Sequence, residues 1–314
     1  MADLERLRIG LVLPTWPLRG GGHATWAEMR GLALDAEAAE VDTLWVPDHL
    51  QRTVPGRPTF GFWECWTILA AAAEATTRIG IGPFVACTGF RNPALLAKMA
   101  ATLDEVSGGR LVLGLGPGDP ARDDSWRAFG FAADRPVARF AEAVEVVTGM
   151  LRRPPLTFHG EFLRVEGADV TPGRPLPGRP PVWLAAKGDR TLSIAIRWGD
   201  AVNVNAALTG VAEAEAIAAR VAAACARAAR DPATLTVTGW ARLSLRADGT
   251  AVMRPGWIGG SPGEVAATLH AIHGAGIRHV TLYLGDADDP SPLPALTAPV
   301  LERFAPFLEA LRAG

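Results

Sequence analysis

Residues 91–119, RNPALLAKMAATLDEVSGGRLVLGLGPGD, decide the fold that we predict for this chain. Pro93 suits the first turn of a helix, and apolar residues recur at helical spacing from 95 to 103. Ser107-Gly108-Gly109 ends this helix with residues that tolerate a left-handed backbone. The apolar run LVLGL at 111–115 is typical of a parallel strand that is covered on both faces. The loop GPGD at 116–119 follows at the carboxyl end of this strand, where α/β proteins bind their ligands.

The same alternation of strand and helix extends along the whole chain. Strands are predicted at 8–13, 43–47, 78–86, 111–115, 181–186, 201–205, 235–245 and 278–284. Capping boxes mark two of the intervening helices, Thr25 with Glu28 and Ser261 with Glu264. We therefore predict an α/β fold, a single (β/α)₈ TIM barrel over residues 1–314. An open doubly wound sheet is the alternative, but no GxGxxG motif with a trailing acidic residue follows the first strand.

Two segments interrupt this rhythm. Residues 152–181 read as an insertion before strand five, with a hairpin (LTFHG and EFLRVEG) and the proline-rich loop TPGRPLPGRPP. The length of this insertion favours a role over the active site. Residues 293–310 are predicted as a closing helix that Pro294, Pro299 and Pro306 divide into segments.

The composition limits the classes of partner. Lys and Arg number 31 and Asp and Glu 33, a formal net charge of -2, which indicates neither nucleic acid nor a membrane as a partner. Three cysteines without a CxxC pair argue against a disulfide framework. The start MADLERLR lacks an apolar signal core and no apolar run could span a bilayer, so we expect a cytoplasmic protein. The sequence does not decide between a monomer and a homodimer.

Polar residues follow the predicted second and fourth strands. At a barrel mouth, His49 can exchange a proton near neutral pH, and Asp48 beside it can orient it or bind a ligand. Gly116 and Gly118 let backbone N–H groups approach an anion, and Asp119 could be a second acid/base group facing His49. The alternative for Asp48 and His49 is a pair of polar rim residues without a catalytic role. The alternative for residues 116–119 is an ordinary βα turn.

A third candidate site precedes the helix that begins near 189. Ala185, Ala186, Lys187 and Gly188 are small or cationic residues at a helix N-terminus, where free N–H groups bind anions, although an ordinary turn is the alternative. Trp16, Trp63 and Trp66 could wall a pocket. His270 and His273 have no third ligand at useful spacing, so we predict no metal site.

Several runs together resemble the bacterial luciferase-like flavin and deazaflavin oxidoreductases. They occur in the family's order between residues 8 and 284: WVPDHL, RNPALLAKMAATLDEVSGGRLVLGLG, RAFGF, RFAEAVEVV, LTFHGEF and PPVWLAAKGDRTLSIAIRWGDA. The resemblance implies a (β/α)₈ barrel with an insertion before strand five. It also implies an oxidoreductase that uses FMN or the deazaflavin coenzyme F420, and it leaves the substrate open.

The resemblance also assigns roles to single residues. It implies that Asp48 contacts the deazaflavin and that His49 is the acid/base residue. A cis peptide bond between Phe84 and Val85 would support the cofactor ring, and Cys87, where relatives often have Thr, is expected to be a small buried apolar residue. Asp119 stands where deazaflavin dehydrogenases of the family often have Glu, one methylene longer.

The function predicted from the sequence is hydride transfer between coenzyme F420 and a small organic substrate. The ring would lie over Phe84–Val85, and its phosphate would be held by Gly116, Gly118 and residues 185–188, with Lys187 as the side-chain partner. The alternatives are an FMNH₂-dependent monooxygenase that uses O₂ and, less favoured, a flavin-binding protein without catalysis. Two proton-transfer candidates at the rim, His49 and Asp119, argue against the last of these.

Overall fold

A computed structural model describes residues 6–19, 21–54, 58–172, 180–289 and 294–314. Within these ranges, eight barrel strands alternate with eight longer helices. The strands are β1 (Arg8–Val12), β2 (Thr43–Val46), β3 (Gly80–Pro83), β4 (Leu113–Gly116), β5 (Val182–Ala186), β6 (Ala201–Ala207), β7 (Thr236–Leu245) and β8 (His279–Asp286). The helices are α1 (Trp26–Ala38), α2 (Cys65–Ala75), α3 (Pro93–Val106), α4 (Pro136–Arg152), α5 (Asp189–Trp198), α6 (Val211–Arg227), α7 (Pro262–Gly274) and α8 (Ala298–Ala313).

The strands form one parallel sheet that curls into a barrel. Its order is β3-β2-β1-β8-β7-β6-β5-β4, and the short strand Ala86–Cys87 then pairs with β4. Because Ala86–Cys87 continues the chain from β3, both edges of the sheet belong to the same segment. A parallel bridge between Ile81 and Leu111 completes the closure. The predicted (β/α)₈ barrel is confirmed, and the open doubly wound sheet is wrong.

Local sequence explains where the helices begin and end. Thr25 and Glu28 form the predicted capping box of α1, and Ser261 and Glu264 form that of α7. Past the end of α3, Gly108 and Gly109 have φ of 69° and 87°, which side chains other than glycine rarely adopt. None of the described helices is long and apolar enough to cross a membrane.

The predicted division of the last helix is wrong. Helix α8 runs without a break over Ala298–Ala313 and contains Pro306, while Pro299 lies in its first turn. A first-turn proline removes a donor that has no partner within the helix, so it is tolerated there. The apolar face of α8, with Phe304, Phe307 and Leu308 buried, holds the helix against the barrel around Pro306.

The insertion before β5 contains an antiparallel hairpin. Leu156–His159 pairs with Arg164–Ala168, and Phe158 lies opposite Val165. The prolines of the loop at 173–179 lie outside the described residues.

A single indole fills much of the barrel interior below the strand ends. Trp45 on β2 is completely buried and lies 5.0 Å from the ring of Trp183 on β5. Glycines on the neighbouring strands make room for it. A Cβ at Gly10 would lie 2.2 Å from Trp45 Nε1, and one at Gly82 would lie 2.7 Å from the indole carbon Cζ3. The barrel floor therefore depends on one large residue between two residues without side chains.

His279 on β8 belongs to the same buried layer. Its ring meets Trp45 and Trp183 edge-on, at 5.8 and 4.9 Å between centroids. Burial, assisted by the charge of Arg8, lowers the pKa of His279 to about 3. The folded chain therefore holds this imidazole in its neutral form.

We expect the free energy of unfolding to fall as the pH falls from 6.5 toward 3. In this interval the unfolded chain binds a proton at His279 that the folded chain excludes, so stability rises with pH, by up to ~1.4 kcal/mol per pH unit. His279→Gln should remove this part of the slope in urea unfolding across the interval. His159→Gln, at a 56% exposed side chain, is the control and should keep it. Equal slopes in all three proteins would contradict the assignment.

Candidate active site

A cavity of about 400 Å³ opens at the carboxyl ends of the barrel strands. Most of the predicted site residues line it: Asp48, His49, Phe84, Val85, Cys87, Gly116, Gly118, Asp119, Ala185 and Lys187. Ala186 is buried behind the wall and Gly188 is exposed outside it. Residues from separate parts of the chain are thus brought to one site, as the strand-end argument predicts.

The segment after β3 shapes one wall of this cavity. The peptide bond Phe84–Val85 is cis, as predicted, and it separates β3 from the short strand Ala86–Cys87. The end of β4 approaches this segment so closely that a Cβ at Gly116 would lie 2.6 Å from Val85 Cγ2. Gly118 has a φ of 70°, and a Cβ at this position would lie 2.7 Å from Cys87 Sγ. These glycines are needed for packing, whatever the cavity binds.

Asp48 supports that wall from behind. Its carboxylate accepts hydrogen bonds from Arg91 Nη1 and Nη2, at 2.6 and 3.0 Å, and from the Cys87 backbone N–H at 2.9 Å. Complete burial raises the pKa of the Asp48 carboxyl, and the Arg91 guanidinium opposes this effect. The side chain has no exposed surface. Contact of Asp48 with a cofactor ring stays a prediction, and the Asp48 backbone is the part of the residue that could make it.

His49 lies at the rim with an acidic partner that the sequence analysis missed. Its Nδ1 lies 2.6 Å from Oδ2 of Asp123, whose side chain is only 10% exposed. Burial opposes ionisation of Asp123, but hydrogen bonds from His49 and Ser125 outweigh it and lower the pKa of the Asp123 carboxyl. The ring nitrogen Nε2 of His49 has no partner among the described residues. The pair therefore has the geometry of a general acid/base whose orientation a carboxylate fixes.

The other predicted acid, Asp119, makes a different contact. Its Oδ2 lies 3.8 Å from Lys187 Nζ, and both side chains are about half exposed or more, 46% and 63%. Such a solvated pair is weak. Asp119 shares the cavity with His49, but the hydrogen-bonding partner of His49 is Asp123.

The N-terminus of α5 is less available to an anion than the sequence predicts. The backbone N–H groups of Lys187 and Gly188 both donate to the Thr191 hydroxyl oxygen, at 3.0 and 3.1 Å. Asp189, in the first turn, is paired with Arg220 at 2.9 Å. The use of this turn for a phosphate stays a prediction, and a phosphate there would have to displace the Thr191 hydroxyl from these two N–H groups. The Lys187 ammonium is left as the cationic group at this turn that faces the cavity.

Aromatic rings form much of the remaining wall. Trp16 lines the cavity as predicted, whereas Trp63 and Trp66 do not. Four of the residues that line the cavity were not predicted from the sequence: Phe62, Trp240, Arg242 and Tyr283. The sequence contained a signal for Trp240 and Arg242. They are two positions apart on β7, so their side chains lie on the same face of the strand.

Two further predictions concern Cys87 and the insertion. Burial raises the pKa of the Cys87 thiol to about 12, so it stays protonated, as expected of a small apolar residue. None of the described residues of the insertion lines the main cavity. Phe162 instead packs against Arg135 and Arg139, and it lines a second cavity of about 340 Å³. The predicted role over the active site is therefore not met by the described part of the insertion.

Comparison with known proteins agrees with this barrel. A solved structure of an F420-dependent secondary alcohol dehydrogenase, in complex with an F420-acetone adduct, superposes with a TM-score of 0.77 over 98% of this chain and 99% of that one. The sequences are 18% identical, so this likeness concerns the fold.

Sequence comparison identifies the family. The family model described as luciferase-like monooxygenase matches residues 7–255, and the chain belongs to this family. A 5,10-methylenetetrahydromethanopterin reductase of Methanolobus tindarius is 29% identical over 213 residues, 68% of this chain and 60% of that protein. An F420-dependent glucose-6-phosphate dehydrogenase of Intrasporangium calvum is 34% identical over 174 residues, 52% of this chain and 49% of that protein. The chain thus spans about half of such relatives.

The Asp48–Arg91 pair gives a prediction for stability. Asp48→Asn removes the buried carboxylate that pairs with Arg91 and leaves the partly exposed Glu64 as its remaining charge partner, so we expect it to lower the free energy of unfolding by up to about 3–5 kcal/mol in urea titrations. Asp134→Asn is the control, because Asp134 forms an exposed pair with Arg139, and its loss should lower stability by less than about 1 kcal/mol. Similar losses in the two variants would contradict the supporting role of Asp48.

Proposed function

We propose that this protein transfers a hydride between coenzyme F420 and a small organic substrate. The observation that carries the proposal is the His49–Asp123 pair, at 2.6 Å, on the cavity that Phe84 and Val85 also line. The likeness to an F420-dependent dehydrogenase of 34% identity supports the choice of cofactor. Homodimerisation and a cytoplasmic location stay predictions.

The groups around the cavity suit a flat ring with an anionic tail. Val85 and Phe84 offer an apolar surface for the ring, and Lys187 offers a cation for a phosphate. Arg122 also lines the cavity, and its side chain has no acidic partner among the described residues. The volume, about 400 Å³, is within the range of small-molecule sites. Phe84, Val85, Gly116, Gly118, Ala185 and Lys187 would hold the cofactor.

Bound F420 would supply the redox chemistry as a hydride carrier. The chain contributes a proton route and orientation. His49 Nε2 would donate a proton to the substrate oxygen, or accept one, as the hydride moves. Asp123 would hold the Nδ1 proton, fix the tautomer of the imidazole and stabilise the imidazolium form. Trp16, Phe62 and Tyr283 would limit the access of water to the reacting atoms.

An FMNH₂-dependent monooxygenase is the second candidate. The description of the matched family as luciferase-like monooxygenases favours it. The positioned acid/base pair favours hydride transfer, since that reaction moves a proton at the substrate oxygen. A binding protein without catalysis has no need for a histidine that a largely buried carboxylate orients.

Cofactor titration tests the proposal. We expect F420 to bind saturably under anaerobic conditions and to be reduced or oxidised stoichiometrically when a substrate from a panel of alcohols, aldehydes and ketones is added. Lys187→Ala should weaken F420 binding by up to ~fivefold, whereas Lys98→Ala, at the only other lysine, should leave it unchanged. Oxygen consumption that requires FMNH₂, with no F420 turnover, would establish the monooxygenase. Binding without turnover of either cofactor would reject catalysis.

Substitutions in the His49–Asp123 pair test the mechanism. His49→Ala should slow single-turnover hydride transfer by ~10²–10⁴-fold with saturating F420, because the proton loses its carrier. Asp123→Asn should slow it by about tenfold or more and move the pH–rate profile, which a merely structural role would not do. Asp124→Asn is the control, since Asp124 accepts from the Thr53 N–H at 2.8 Å and does not touch His49. A fall of less than about threefold in His49→Ala would remove the catalytic role.

A further inference from the structure

Arg242 is a cation on the cavity wall without a partner of opposite charge. It projects from β7 and lines the main cavity. Every acidic residue of the chain except Asp3 and Glu5 lies in the described ranges, and none of those described pairs with Arg242. Two other enclosed guanidinium groups differ. Arg91 is paired with Asp48 and Glu64, and Arg110 donates to backbone carbonyl groups at 2.6–2.9 Å.

Two indoles hold this guanidinium in place. Its central carbon lies 4.7 Å from the ring centroid of Trp240 and 5.8 Å from that of Trp257. A guanidinium that lies over an indole ring keeps its N–H groups available to a planar acceptor. Burial lowers the pKa of Arg242, since no acidic group compensates for the lost hydration. Arg242 is therefore a half-buried cation for which the described residues supply no acceptor of opposite charge.

The hydroxyl of Tyr283 is a second free donor beside it. Tyr283 lines the same cavity, and its charge state and that of Arg242 influence each other. Its hydroxyl has no hydrogen-bond partner among the residues that the structure covers. Burial raises the pKa of this phenol to about 12, so it remains a donor at neutral pH. A guanidinium and a phenol next to each other form a donor set for an anion.

A continuous series of rings connects this donor set with His49. The centroids of His49 and Phe62 are 5.2 Å apart, those of Phe62 and Trp16 6.3 Å, and those of Trp16 and Tyr283 6.4 Å. Trp240 continues the series at 5.8 Å from Tyr283. The wall is therefore apolar along its length, with a proton-transfer group at one end and a cation at the other. Such a wall suits a substrate with an apolar body and one charged end.

We propose that the substrate is a small organic anion whose carboxylate or phosphate group binds Arg242 and the Tyr283 hydroxyl. This proposal rests on the proposed function, in which the substrate reacts near His49. Its apolar body lies along the rings of Phe62, Trp16 and Tyr283, which places the reacting carbon away from the charged end. Arg242 thus determines the substrate class and takes no part in the proton transfer.

Binding of simple probes tests this without turnover. Benzoate, phenyl phosphate and the neutral benzamide are titrated into the protein, with and without F420, and followed by tryptophan fluorescence and calorimetry. We expect at least one anion to bind about tenfold or more tightly than benzamide, because the charge-assisted hydrogen bonds are missing in the amide. A preference for benzoate identifies a carboxylate substrate, and a preference for phenyl phosphate identifies a phosphate ester.

Arg242→Gln should abolish this preference and leave benzamide binding unchanged. Arg242→Lys keeps the charge without the planar fork and should retain part of the preference, and thermal melts verify that both variants fold. Arg254→Gln is the matched control, because Arg254 also stacks on Trp257, at 5.4 Å, but does not line the cavity. It should retain the preference in full.

Three results would overturn the proposal. They are equal binding of anions and benzamide to the unmodified protein, an equal loss in Arg254→Gln and Arg242→Gln, and a loss of F420 affinity in Arg242→Gln with benzoate and phenyl phosphate binding unchanged. Failure of the proposed function is separate, since it appears as absent F420 binding or turnover while the probe titrations still report on Arg242.

Discussion

The ion pair between Asp48 and Arg91 is the interaction on which the active-site wall depends. It joins the segment that follows β2 to Arg91, two residues before α3, and the same carboxylate accepts a hydrogen bond from the Cys87 N–H in between. A carboxylate with no exposed surface is stable only when charge and hydrogen bonds satisfy it, and here both oxygens are satisfied. Two successive βα units are thereby held together at the point where β3 leads into the Phe84–Val85 segment.

The cavity exists because this wall is held in place and because the facing end of β4 carries glycines. Gly116 and Gly118 allow the end of β4 to lie against Val85 and Cys87. Below this level, Trp45 fills the barrel between Gly10 and Gly82, so the cavity has a solid floor. Large and small residues alternate around the barrel, and a substituent at any of these glycines would displace the wall or the floor.

Asp48 and Asp123 differ in role because their surroundings differ. Asp48 is sealed from solvent and neutralised by Arg91, so it supports the backbone. Asp123 is held near the surface beside His49, where its charge is available to an imidazole that exchanges protons. The geometry of each, and not the residue type, separates structural support from the proposed catalysis.

The sequence by itself determined the barrel. The spacing of apolar residues, the capping boxes at Thr25 and Ser261 and the glycines after α3 are local signals, and each strand and helix follows from them. The same signals determined that His49, Asp119 and Lys187 meet at one cavity, since parallel strands of a barrel end at the same rim. Local sequence did not predict that α8 continues through Pro306. The helix continues because packing of its apolar face outweighs one missing hydrogen bond.

Only the tertiary structure decided which side chains act on one another. Asp123 lies 74 positions from His49 and Arg91 lies 43 from Asp48, and no local pattern specifies either pairing. Likewise, Thr191 takes the N–H groups that the sequence offered to an anion, and the rings of Trp240 and Trp257 hold Arg242 without a counter-charge. Such contacts depend on the register and twist of strands that are distant in the chain. Periodicity predicts which face a residue occupies, and the closed barrel alone sets its neighbour across the cavity.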